Sequence, residues 1–273
     1  MKYNLFYIRT VPHTGSSFIV NLIREVAKSS IVYMLFNPDS TVKVIQNYFK
    51  RVIAKELTFQ EGMCFLAGEK DDIKNVFLAE HIDGGIEMPE KHREALILPE
   101  LERQDYPGFP VKTLMSLRDY RLVTLTNFIL SVNVQKGREE HLAWVRQAFN
   151  FMLEHYKKRN VMIIPVDLYG EKSIDDRCNL LLWLFDNFLN IDYDKANLIS
   201  FAKKWQPAHS VFDNTKLEYY VGNKEFELLM SFRRDNNLLC EQRKQHPELD
   251  TELDYYDKHE GIQEMYRFFG YKM

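Results

Sequence analysis

Cysteine is scarce in this 273-residue chain, with only Cys64, Cys178 and Cys240. They are odd in number and far apart, and no C-x-x-C pair occurs. That excludes a disulfide framework and a cysteine-rich metal site, and it fits a reducing compartment. No apolar run approaches the roughly 18 residues a membrane span needs. The first one, Leu5-Phe6-Tyr7-Ile8, is short and has no basic lead of the kind a secretory signal carries. A soluble, cytoplasmic protein with no membrane association is expected. An excess of one charge is also missing. Lys and Arg number 36 against 39 Asp and Glu, a net charge of −3. This argues against a general nucleic-acid binder while leaving room for a local basic pocket. Internal repeats and low-complexity linkers are absent, and so is the G-x-x-x-x-G-K-[ST] spacing of an ordinary ATPase or GTPase loop.

What is present begins at residue 4. The run Leu5 to Ile8 leads into Pro12-His13-Thr14-Gly15-Ser16-Ser17 and then into Phe18-Ile19-Val20-Asn21-Leu22-Ile23. This reads as a strand, a tight turn with one glycine, and a helix over 17–28 whose apolar stripe is Phe18, Ile19, Leu22, Ile23 and Val26. Such a junction aims several backbone N–H groups and the positive end of a helix dipole at one spot, where anions bind. Gly15 lets the backbone approach an anion, and Ser16 and Ser17 add hydroxyls. The same residues also make an ordinary strand-to-helix turn.

Strand and helix patterns then alternate. Strands are expected at 31–36, 76–79, 111–117 and 160–166, and helices at 40–49, 120–134, 138–159 and 173–189. Residues 86–110 read as irregular. Hydrophobic residues make up 45% of the chain, enough for a sizeable core. Alternation of this kind implies an α/β fold, a parallel sheet covered by helices on both faces. Beyond about residue 195 no strand is evident. The expectation is one domain over 1–273, with an α/β core at 1–195 and a mostly helical part at 196–273.

Ligands of parallel α/β sheets sit outside the carboxyl ends of the strands. The opening loop lies at one such end and Arg118 at another, after Lys112 to Leu117. Arginine grips a phosphate with two hydrogen bonds, and the hydroxyl of Thr126, eight residues on, adds a third. A strand-terminal arginine is also a common partner in a surface ion pair.

Together these segments resemble the sulfotransferases that use 3′-phosphoadenosine-5′-phosphosulfate (PAPS). Their loop reads P-K-[ST]-G-[ST]-[ST]-[WF], and Pro12 to Phe18 matches it everywhere but at His13. Their arginine and the serine eight residues later correspond to Arg118 and Thr126. Val161 to Leu168, and the helix ending Leu184-Phe185-Asp186-Asn187-Phe188-Leu189, resemble the late strand, the Y-E-D-L turn and the F-L-G helix end. The resemblance covers roughly residues 4 to 190.

It implies a P-loop-like sulfotransferase fold and transfer of a sulfuryl group from PAPS to a small-molecule hydroxyl or amine, with adenosine 3′,5′-bisphosphate (PAP) as product. Pro12, His13, Thr14, Gly15, Ser16, Ser17 and Phe18 would form the 5′ side of the nucleotide site, with Phe18 stacked on adenine or simply part of the helix's apolar stripe. Arg118 and Thr126 would hold the 3′-phosphate. The family's loop cation is His13 here, which leaves an active variant, a weakly catalytic binding protein, or help from Arg9. His81 is the implied base, after Val76-Phe77-Leu78-Ala79, with Asp39 next and Glu80 third. The lysine usual two residues before that histidine is Ala79. The family's late R-K-G segment is not recognisable. Lys203-Lys204-Trp205 and Arg233-Arg234 are the basic clusters present, and Trp205, Phe212, Tyr219, Tyr220 and Phe232 are candidates for an acceptor pocket or a packing face. No metal is expected. The alternative enzyme is a nucleotide or small-molecule kinase with a degenerate loop, using Asp39 and Asp119 for Mg²⁺. The acceptor and the oligomeric state are not legible.

Overall fold

The computed structural model describes residues 3–11, 14–34, 56–67, 72–81, 112–130, 138–204 and 247–272, with the single positions 47, 51 and 54. Five parallel strands form the sheet: β1 (Asn4–Thr10), β2 (Ser30–Met34), β3 (Asn75–His81), β4 (Lys112–Leu117) and β5 (Val161–Pro165). Their order is β2-β3-β1-β4-β5. β1 is central because Leu5 to Ile8 is apolar on both faces and buried on both.

Two cores follow from the strict alternation of strand side chains. On one face Phe6, Ile8, Phe77, Ala79, Leu114 and Ile164 meet α1 (Ser16–Val26), α6 (Ile174–Trp183), a π-helical turn (Leu184–Leu189) and α7 (Lys195–Lys204). On the other, Val11, Met115, Leu117 and Ile163 meet α3 (Tyr120–Leu130), α4 (Arg138–His155), α8 (Pro247–Lys258) and α9 (Glu260–Phe268). Among the described residues, no helix is long and apolar enough to cross a membrane.

Several boundaries differ from the sequence reading. The strand expected over 160–166 stops at Pro165, and the chain turns at once into the short helix α5 (Val166–Glu171). Proline has no N–H for the next ladder bond, and its φ of −75° suits a helix entry. The helix expected over 138–159 ends at His155, where a turn closed by Lys158 N–H on the His155 carbonyl feeds β5. The helix expected over 173–189 is α-helical only to Trp183. Asn190 N–H then reaches the Phe185 carbonyl five residues back, the π register that buries Leu184, Phe185, Phe188 and Leu189 together. Like α5, helix α2 (Phe59–Leu66) was not anticipated. Thr58 and Glu61 form a capping box at its start, with the Thr58 N–H and hydroxyl both donating to Glu61 Oε2 at 2.7 Å. The helix expected over 40–49 and the irregular 86–110 lie outside the described residues, position 47 apart.

Candidate functional site

Chain order and strand order together define one crevice. After β1 the chain moves to β2 and β3 on one side of it. After β4 it moves to β5 on the other. The carboxyl ends of β1 and β4 are therefore neighbours whose connections diverge, the place where open α/β sheets bind ligands. The opening loop leaves β1 here and Arg118 leaves β4 here. β3, on the other flank of β1, ends at His81, which pairs in register with Thr10. Three adjacent strands thus bring the loop, Arg118 and His81 to one edge, with about 4.8 Å between neighbouring strands.

The loop is fastened from beneath. Thr14 is fully buried, and its hydroxyl donates to the Val11 carbonyl at 2.8 Å and lies 2.8 Å from Ser116 Oγ on β4. Its side chain therefore ties the loop after β1 to β4. Gly15 is left-handed at φ 105°, and a Cβ there would stand 3.1 Å from Val166 Cγ2. Only glycine takes this conformation cheaply, so the loop's glycine also sets how closely α1 approaches α5. Gly15 caps α1 without a side-chain hydrogen bond, and the first turn carries no acidic residue. The amino end of α1 therefore keeps its positive potential, with Ser16 and Ser17 half-buried beside it. Phe18 is 1% exposed, packed 5.1 Å from Tyr169 and 5.4 Å from Phe201 between ring centroids, so it sits in the core stripe.

Arg118 is held on several sides. Its Nε donates to Asp167 Oδ1 at 3.2 Å, while Asp167 Oδ2 accepts the Asp119 N–H at 2.7 Å. Neither terminal guanidinium nitrogen of Arg118 has a hydrogen bond to a described residue. An arginine oriented through Nε presents two donors in the fork that matches a phosphate. Burial raises the Asp167 carboxyl above its ordinary pKa, against the opposing pull of Arg118. Asp119 caps α3: its Oδ1 accepts the Arg121 N–H at 2.9 Å, and its carboxylate also pairs with the Arg121 guanidinium. Thr126 is buried on α3, two turns in.

Arg9 and Glu80 are a buried pair. They face each other in the β1–β3 register, and Arg9 Nε lies 3.1 Å from Glu80 Oε1, with both side chains at most 3% exposed. The Arg9 guanidinium also stacks 4.5 Å from the Phe151 ring centre. Neither stands open at the sheet edge, so Arg9 is not a replacement for the loop's missing cation and Glu80 is not an open base. His81 is the last residue of β3, which runs two residues past the strand end expected at Ala79. Pro12, His13, Asp39, Trp205, Phe212, Tyr219, Tyr220, Phe232 and Arg233-Arg234 lie outside the described residues. Lys203 and Lys204 are exposed at the carboxyl end of α7, where cations suit the helix dipole.

Asp167 and Ser116 were given no role from sequence. The rule that singles out Arg118 would have found Asp167, because it follows the end of β5, the strand beside β4. Ser116 offers no such signal, since it is one small polar residue within an apolar strand.

No family model matches the chain, and a sequence search of curated proteins finds no match. Solved structures do match. Mouse sulfotransferase SULT7A1 complexed with PAP aligns over 98% of this chain and 90% of its own, at 11% identity and a TM-score of 0.50. Retinol dehydratase, in complex with androsterone and inactive cofactor PAP, aligns over 100% of this chain and 83% of its own, at 12% identity and a TM-score of 0.42. Thymidylate kinase from Candida albicans aligns over 71% of this chain and 95% of its own, at 16% identity and a TM-score of 0.36. The likeness to the first of these is one of fold, and with the parallel five-stranded sheet it gives this chain a sulfotransferase fold.

Proposed function

We propose that this protein is a sulfotransferase that uses PAPS to sulfate a hydroxyl or amine of a small molecule. The observation that carries this reading is the meeting, at one switch point, of a glycine-capped helix amino end after β1 and an Nε-oriented arginine after β4. Two anion sites on adjacent strands suit a nucleotide with phosphate at both its 5′ and 3′ positions. Ser16, Ser17 and the N–H groups from Gly15 onward would bind the 5′ side, joined by Pro12 and His13. Thr14 serves that loop by fixing its shape. Arg118, with Thr126, would hold the 3′-phosphate. Bound PAPS would supply the sulfuryl group, with PAP as leaving group.

The protein's own task is positioning and charge neutralisation. His81, or failing it Asp39, would take the acceptor's proton as the acceptor oxygen or nitrogen bonds to sulfur and the bond from sulfur to the phosphate oxygen breaks. His13 would donate a hydrogen bond to that leaving oxygen, more strongly as the imidazolium. A cytoplasmic location fits the absence of a cysteine framework.

A second reading is favoured by one observation. Arg9 is committed to Glu80, so a missing loop lysine has no replacement on β1. A nucleotide-binding protein with weak transfer would then result. Ligand binding and turnover separate these readings from each other and from a kinase. Thermal stabilisation by PAP without Mg²⁺ supports the nucleotide site. Transfer of labelled sulfate from PAPS to an acceptor panel supports the enzyme. Stabilisation only by ATP with Mg²⁺ rejects both in favour of a kinase.

A further inference from the structure

The backbone that carries Arg118 is gripped from outside the sheet. The β4–β5 ladder ends at Leu117, and backbone carbonyls at a strand end need partners from elsewhere. Two tyrosines supply them, Tyr266 on α9 and Tyr271 just after it, at the end of the helical hairpin formed by α8 and α9. Tyr266 donates its hydroxyl to the Arg118 carbonyl at 2.6 Å, and Tyr271 donates to the Leu117 carbonyl at 3.4 Å. Asp167 takes the next peptide N–H, that of Asp119. Three consecutive residues, Leu117 to Asp119, are thereby fixed around the arginine assigned to the 3′-phosphate.

The hairpin is built to hold its tyrosines still. Tyr266 is fully buried, with its ring edge-on to Tyr120 at 5.3 Å and to Tyr271 at 5.0 Å. Burial keeps both hydroxyls protonated by raising their pKa values, so they remain donors at any ordinary pH. α8 is joined to α4 by Arg138–Glu248 at 2.9 Å and by the two-pronged Arg146–Glu252 pair, while an exposed pair, Lys157–Glu264 at 3.0 Å, links α9 to the turn after α4. The Tyr120 hydroxyl donates to Asp257, linking the start of α3 to the same hairpin.

We propose that Tyr266, assisted by Tyr271, is a positioning residue that sets selectivity for the 3′-phosphate by fixing the Arg118 turn. The inference rests on the function proposed above. A residue that only braces the fold would weaken every nucleotide alike. One that positions Arg118 weakens only ligands carrying a 3′-phosphate.

The test measures the affinities of PAP and of adenosine 5′-monophosphate, which lacks that phosphate, for the full chain. Tyr266→Phe keeps the ring and removes one hydrogen bond. It is expected to weaken PAP by about 3- to 10-fold, the usual worth of one such bond, and to leave the monophosphate unchanged. In an Arg118→Ala background the same change should have no further effect on PAP. Should Tyr266→Phe fail to fold, Tyr271→Phe loses a longer bond and should show the same selective loss, smaller in size. Equal loss for both nucleotides, or a loss that persists without Arg118, overturns the hairpin's role alone. A wild-type chain with no preference for PAP overturns the 3′-phosphate assignment beneath it.

Discussion

Replacing Glu80 by Ala should be among the most damaging single changes in this protein. It removes the carboxylate facing Arg9 and leaves a guanidinium whose side chain is only 2% exposed, above the Phe151 ring. Breaking a buried ion pair from one side typically costs about 3–5 kcal/mol, because the remaining charge is stranded away from water. In a chain of this size each kcal/mol shifts the melting midpoint by roughly 2–3 °C, so a fall of roughly 6–15 °C is expected. Removing both charges, as Arg9→Met with Glu80→Leu, should restore much of that loss, since the two facing charges leave together. Urea unfolding gives the two single changes, the double change and the coupling between them. The reasoning fails if Glu80→Ala costs less than about 1 kcal/mol, or if the double variant is as unstable as the sum of the singles. Such a result would also reopen Arg9 as a cation at the reacting centre.

Arg118→Ala should weaken PAP by at least about tenfold, the worth of a charge-assisted pair, and unchanged affinity by calorimetry would remove Arg118 from the site. Gly15→Ala places a Cβ 3.1 Å from Val166 at φ 105°, and should lower stability by about 1–3 kcal/mol. A neutral outcome in denaturant titration would contradict the tight junction of α1 and α5. His81→Ala should abolish sulfate transfer and preserve PAP binding, and turnover near wild type would pass the base role to Asp39. His141 is pushed below its ordinary pKa by burial, its Nε2 3.0 Å from Asn127 Oδ1. A lowered folded pKa means its contribution is whole above about 6.5 and is lost as pH falls through the folded value. His141→Gln should flatten that part of the stability curve, and an unchanged slope between pH 7.5 and 5 would refute it.

The sheet was readable because its strands are short apolar runs punctuated by turn residues, and strand–helix alternation leaves few topologies. Arg118 was readable for the same reason, as a charge at the end of a parallel strand. What was hidden depended on distance along the chain. Asp167 matters only because β5 lies beside β4, and Tyr266 only because α9 returns to a carbonyl 148 residues earlier. Phe18 belongs to two patterns in sequence, a stacking position and a helix stripe, and only packing against Tyr169 and Phe201 shows it in the second. Arg9 looked like spare charge until the β1–β3 register set it opposite Glu80. Helix α2 had its signal in Thr58-x-x-Glu61, a capping box that is easily passed over in a polar stretch.

The central claim is that the carboxyl ends of β1 and β4 form a site for a nucleotide with two anionic ends. A crystal structure of the protein with PAP tests it most directly. The 5′-phosphate should lie against the N–H groups of Gly15 to Ser17, and the 3′-phosphate on the terminal nitrogens of Arg118 with Asp167 still on Nε. A nucleotide bound elsewhere, or one whose 3′-phosphate leaves Arg118 untouched, would contradict it.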